Sequence, residues 1–212
     1  MFKQVSQRVL GAIASSPSGI ASLDVLESLG LCGMHTLLTT LSRLNKSGKI
    51  ARLKRGCYSI LPFVDSFACA QSVFKGYLGF SSALYLHSLA SEMPYTIVVV
   101  TAGTSRSKKI GQFEFKAVSL KEKAVGFEQK GALVVSTRAK TLFDCLYLPK
   151  YSVELPKLIN SFRQARLSAG EWREFRSYCG KFAAGRFARR VALAEMQLRT
   201  GRGAERAQRK NV

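Results

Sequence analysis

The sequence predicts an α+β protein in three parts. An N-terminal winged helix-turn-helix domain is expected over residues 1–62. A mixed α/β domain with a small sheet and a helical C-terminus is expected over 63–200, and a basic flexible tail over 201–212. Leucines recur at helical spacing through two short segments that end in a glycine-turned hairpin. β-Branched and alternating runs then crowd between residues 95 and 136. Helical periodicity returns after residue 137, with capping residues where helices should begin.

In chain order, Val5, Val9, Ala12 and Ile13 share one side of a helix over 3–15. Ser22 is an N-cap whose hydroxyl oxygen accepts from first-turn N–H groups that have no helical partner. Leu23, Val25, Leu26 and Leu29 give the second helix an apolar side. Gly30 stands just past its end, where a left-handed backbone favours glycine. The third helix runs from about Met34 to Ser47 with Leu37, Leu38, Leu41 and Leu44 as its packing stripe. That turns His35, Thr36, Thr39, Thr40, Arg43 and Lys46 outward. The outward set is short, polar and cationic without a carboxylate, as a recognition helix in a major groove requires. Lys49–Leu53 and Cys57–Leu61 pair around Lys54-Arg55-Gly56, a hairpin with two cations at its tip that reads as a wing. Arg43, Thr36, Thr39 and Thr40 are expected to read bases, with His35 beside them, while Lys46, Lys54 and Arg55 hold phosphates. A protein-docking module with a merely solvated basic face would have the same element order.

Pro62 marks a boundary, and Phe63, Phe67, Ala70 and Phe74 share one side of a connecting helix that Gly76 and Gly79 break. Ser81 is expected to cap a helix to about Ala90. Tyr95–Thr101 is a β-branched run suited to a central strand. Phe113, Phe115 and Ala117 alternate with Gln112, Glu114 and Lys116 in one half-buried strand over Lys108–Val118. Two more strands are expected at Val125–Gln129 and Ala132–Ser136. A helix starts at Thr137 with Ala139, Leu142, Phe143 and Leu146 inside and stops at Pro149. Leu158, Ile159, Phe162 and Ala165 stripe the next helix. Ser168 and Glu171 form a capping box ahead of Trp172, Phe175 and Cys179. A last helix puts Phe187, Val191, Ala194 and Leu198 inside and Arg186, Arg189, Arg190 and Arg199 outside. Those arginines make either a secondary phosphate-binding surface or the solvated face of a packed helix.

Charge narrows the function. The chain has 33 Lys+Arg against 13 Asp+Glu, net +20, divided as +6 over residues 1–62, +7 over 63–180 and +7 over 181–212. A chain this basic repels itself until a polyanion neutralises it, so nucleic acid is the default partner, and the helix-turn-helix pattern makes double-stranded DNA the expected form. No apolar run is long enough to span a membrane, and the N-terminus lacks a signal core, so a cytoplasmic location is expected. Cys32, Cys57, Cys69, Cys145 and Cys179 are scattered without a C-x-x-C pair, and the only histidines are His35 and His87. Reduced thiols, no metal site and no cofactor are expected.

Gly79–Pro94 (GFSSALYLHSLASEMP) and Ala132–Leu146 (ALVVSTRAKTLFDCL) resemble the abortive-infection antitoxin family (AbiEi). The late Thr-Leu-Leu-Asp-like helix of that family corresponds to Thr141-Leu142-Phe143-Asp144. Phe143 replaces the usual Leu, and Lys140 stands where Arg is expected. The resemblance covers about residues 1–165. It implies a repressor that acts on its own toxin–antitoxin operon through the winged helix, at inverted repeats. It also implies a second domain that counteracts a nucleotidyltransferase-like toxin without a stable complex.

Catalytic patterns are sparse. Glu114-Phe115-Lys116 has the E-x-K spacing of metal-dependent nucleases, but these need an upstream Asp to share the metal, and the nearby upstream acid is Glu92. The simpler expectation is the polar side of an alternating strand. His87 reads as a packed, hydrogen-bonded histidine, and Asp144 as a partner of Arg138 or Lys140. The chain is therefore read as a non-enzymatic DNA-binding repressor. The alternatives are a metal-dependent nuclease guided by a winged helix, and a general nucleic-acid-binding or RNA-binding protein without a toxin partner.

Overall fold

The structure, a computed structural model, describes residues 2–182, 185, 187–192 and 194. The expected tail over 201–212, together with Arg186, Leu198 and Arg199, lies outside the described residues.

The N-terminal part comprises α1 (Phe2–Ala14), β1 (Ile20–Ser22), α2 (Leu23–Ser28), α3 (Met34–Lys46), β2 (Ile50–Lys54) and β3 (Cys57–Ile60). The strands form an antiparallel sheet in the order β1-β3-β2. Strand β1 was not expected, because three residues are too few to show an alternation. Its last residue also caps α2, Ser22 Oγ accepting from Val25 N–H at 3.2 Å. Gly56 closes the β2–β3 turn at φ 69°, a left-handed backbone that costs glycine little.

Both faces of this small sheet are covered. Ile50 and Tyr58 pack with Val9, Ile13, Leu26, Leu37, Leu41 and Leu44 of the three helices. Leu53 and Cys57 belong to a different core, shared with Phe67, Cys69, Leu78, Val99 and Phe115 of the second half. The boundary expected at Pro62 is thus spanned by continuous apolar packing.

The second half comprises α4 (Ser66–Val73), β4 (Tyr77–Leu78), α5 (Phe80–Leu86), β5 (Thr96–Thr101), β6 (Arg106–Ile110) and β7 (Phe113–Ser119). It continues with β8 (Phe127–Lys130), β9 (Leu133–Ser136), α6 (Arg138–Tyr147), α7 (Leu155–Ala165) and α8 (Ala169–Phe182). Residues 187–192 are helical again. The strands form one mixed sheet in the order β6-β7-β5-β4-β9-β8. Ile97 and Val99 of β5 point into the core shared with β2 and β3. Val98 and Val100 point into the opposite core, with Leu142, Phe143, Leu158, Phe162 and Phe175. A strand buried on both faces has no polar side, hence the unbroken β-branched run.

Two expectations change here. The segment Lys108–Val118 is not one strand but the end of β6 and most of β7, reversed at Gly111, φ +60°. The glycines at 76 and 79 do not simply break the chain, because Tyr77 and Leu78 between them form β4, inside the sheet. A Cβ on Gly76 would lie 2.0 Å from the Val100 carbonyl oxygen, and one on Gly79 would lie 2.5 Å from Val100 Cγ2. These glycines are there for close approach to β5. The N-cap of α5 is Gly79 rather than Ser81, and Ser82 Oγ accepts from Val98 N–H at 2.8 Å, tying α5 to β5.

Helix α6 is capped by Thr137, whose Oγ1 accepts from Lys140 N–H at 3.2 Å, and every residue from Ala139 to Leu146 is buried. Lys140 and Asp144, one turn apart, form an ion pair with both side chains 0% exposed. Among the described residues the second carboxylate oxygen of Asp144 has no hydrogen-bond partner. Burial raises the Asp144 carboxyl and lowers the Lys140 ammonium, each opposed by the charge of the other. Alongside, Arg138 donates through Nε to Glu171 Oε1 at 2.8 Å, joining α6 to α8. Glu171 completes the expected capping box, Oε2 accepting from Ser168 N–H at 2.8 Å.

Asp144→Asn leaves an ammonium buried without its counter-charge and is expected to cost about 3–5 kcal/mol in urea unfolding. The double replacement Lys140→Met with Asp144→Leu should recover most of that loss.

Candidate nucleic-acid interface

Helix α3 turns by about 100° per residue, and that rotation decides which side chains a duplex could meet. Leu37, Leu41 and Leu44 are buried, and His35, Ser42, Arg43 and Lys46 are exposed. Thr36 and Thr39 are half-buried at the flank. The expected outward set needs one exchange: Thr40 is only 4% exposed, whereas Leu38 is 44% exposed. Thr40 lies about 40° from Leu44 around the helix and joins the inward side, while Leu38 is turned about 100° away from Leu37. A base-reading role for Thr40 does not fit this placement. Helix α2 shows a similar departure, with Leu26 buried but Val25 and Leu29 about half exposed.

Two hydrogen bonds define the helix surface further. Thr39 Oγ1 donates to the His35 carbonyl at 2.9 Å, so its methyl group and oxygen lone pairs remain for a ligand. Asn45 Oδ1 accepts from Arg52 N–H at 3.0 Å, fixing the last turn of α3 to β2. At the other end, N-cap Gly33 supplies no side-chain hydrogen bond, an arrangement that suits an anion at a helix N-terminus. The β2–β3 hairpin presents Arg52, Lys54 and Arg55 to solvent. Arg52 was overlooked in the sequence, although strand alternation between buried Ala51 and Leu53 marks it as outward.

The arginines near the chain's end behave differently from one another. Arg189 is exposed. Arg190 does not face outward: its Nη1 donates to the carbonyls of Leu146 at 3.1 Å and Tyr147 at 3.2 Å, capping the end of α6. It is therefore removed from the expected phosphate contacts, and Arg186 lies outside the described residues.

The catalytic patterns resolve into local pairs. Glu114 accepts from Thr96 Oγ1 at 3.3 Å and lies 3.9 Å from Lys116 Nζ. Glu92 pairs with Lys157 at 2.9 Å. Among the described residues no three His, Cys, Asp or Glu side chains gather as metal ligands. No disulfide joins any of the five cysteines. Among the described residues no helix is long and apolar enough to cross a membrane. His87 Nε2 lies 2.7 Å from the Ser136 carbonyl oxygen, so Nε2 carries the proton and donates. Comparison of the chain with protein-family models and with curated protein sequences finds no match.

Burial, more than any neighbouring charge, holds the His87 pKa below its ordinary 6.5. The unfolded chain therefore binds this proton more readily, and the stability contributed by neutral His87 is complete above pH 6.5 and lost as pH falls through the lower folded value. Urea unfolding from pH 7.5 to 5 should show that decline, and His87→Gln should flatten it.

Proposed function

We propose that this protein is a sequence-specific, double-stranded-DNA-binding transcriptional repressor, with residues 1–62 acting as a winged helix-turn-helix. The observation that carries this reading is the open face of α3, where His35, Ser42, Arg43 and Lys46 are exposed with no carboxylate among them. Helix α3 enters the major groove in this reading. Arg43 reads a base edge, Thr36 and Thr39 assist, and exposed Leu38 meets a thymine methyl. Lys46 and the Lys54–Arg55 wing tip hold phosphates on either side. The net charge of +20 supplies the non-specific attraction that brings the duplex in.

The resemblance of Gly79–Pro94 and Ala132–Leu146 to AbiEi antitoxins supports a place in a toxin–antitoxin operon. The repressor then binds an inverted repeat at its own promoter. The second half counteracts a nucleotidyltransferase-like toxin without a stable complex. Five cysteines without a disulfide suit the cytoplasm in which such a repressor works. The adjoining reading frame should encode that toxin, and co-expression should restore growth while the two proteins elute separately on gel filtration.

Gel shifts on the upstream region test the DNA half of the proposal. Arg43→Ala should cost about 1–3 kcal/mol and relax preference at one base pair. Lys54→Ala should weaken all sequences alike and reduce the salt slope by about one unit. Unchanged affinity in both variants would overturn the assignment. Incubation of plasmid with Mg²⁺ or Mn²⁺ should leave it intact, whereas cutting that disappears in Glu114→Ala would replace the repressor by the nuclease.

A further inference from the structure

Besides the shared apolar core, a side chain of the second half grips the backbone of the β2–β3 hairpin. Lys108, on edge strand β6, donates through Nζ to two successive backbone oxygens of β2, Arg52 O at 3.1 Å and Leu53 O at 2.6 Å. The β2–β3 register shifts between Arg52 and Lys54, so the ammonium grips the hairpin where its ladder is irregular. Strand alternation then orders the charges. Lys108 pairs in register with Phe115, which faces the core beneath β2 and β3. Arg106, two residues away, stands on the same side of the sheet as Lys108. Lys109 stands on the other side, in register with Glu114.

The result is a run of like charge: Lys54 and Arg55 at the tip, then Arg52, Lys108 and Arg106. All but half-buried Lys108 are exposed. Among the described residues none of these five is in an ion pair with a carboxylate. Arg52 lies near enough to Lys108 to disfavour its proton, a smaller effect than that of burial. Cations clustered without internal counter-charge attract an external polyanion.

We propose that β6 is a second backbone-gripping element, the Arg52–Lys108–Arg106 ridge receiving the sugar-phosphate strand of the same DNA duplex next to the stretch held by the wing tip. Lys108 is the positioning residue that sets the wing against this ridge, and Arg106 makes the added phosphate contact. The inference rests on the DNA-binding reading above and extends the contact surface into the second half of the chain.

The test measures binding of the full chain to a duplex from the region immediately upstream of its gene, across a salt series. Arg106→Ala should lower the slope of log affinity against log salt by about 0.9, the worth of one phosphate contact, and shorten the hydroxyl-radical footprint at one side. Base preference should not change, and Arg106→Lys should restore the slope. Lys108→Met should lose at least as much, because the two hydrogen bonds that set the wing against β6 are lost as well. Arg176→Ala, an exposed arginine on α8, is the control and should change nothing. If Lys54→Ala lowers the slope but Arg106→Ala matches the control, the ridge proposal is overturned and the winged reading stands. If Arg43→Ala and Lys54→Ala are also silent, the DNA-binding reading itself falls. Equal affinity for a folded tRNA, with the same loss in Arg106→Ala, would overturn the assignment of this ridge to duplex DNA.

Discussion

The constraint on which the molecule depends is the double-sided burial of its small N-terminal sheet. Ile50 and Tyr58 are covered by α1, α2 and α3, while Leu53 and Cys57 look the other way into a core shared with the large sheet. Neither face can be solvated without exposing apolar surface, at about 25 cal/mol for every Å² returned to water. The orientation of α3 relative to the large sheet is therefore set by packing rather than by a linker. Lys108 adds direction to that packing through its two hydrogen bonds to β2.

Much of this was legible in the sequence, because the signals were local. The Ser22 cap, the Thr137 cap and the Ser168–Glu171 capping box each depend on residues within one turn of each other. The β-branched run over Tyr95–Thr101 announced a central strand, which begins one residue later at Thr96. What escaped were features defined by partners distant in sequence. Strand β1 exists because β3 offers it a ladder, and β4 exists because β5 and β9 flank it. The glycines beside β4 looked like breaks because the Val100 backbone they accommodate is far along the chain.

The candidate interface was legible to a similar depth. Helical spacing placed His35, Arg43 and Lys46 outward correctly, since polar residues opposite a leucine stripe have few other places to go. Taking Leu38 into that stripe misplaced Thr40, because neighbouring residues diverge by about 100° and cannot both sit at its centre. Arg190 escaped for another reason. An arginine on a basic helix looks solvated until the carbonyls it caps, at Leu146 and Tyr147, are brought beside it by the fold. The Lys140–Asp144 pair was foreseeable from its one-turn spacing, but its complete burial depended on α6 being covered all round.

Strand β4 has a consequence for how the large sheet is assembled. Its two residues are all that connects the ladder β6-β7-β5 to the ladder β9-β8. Leu78 pairs with Val99 on one side and Val135 on the other. Each ladder pairs strands close in sequence, and Tyr77–Leu78, which precede both in the chain, lie between them. The sheet is shortest at its middle, where Leu78 alone carries the pairing to both sides and the cores on the two faces hold the ladders together.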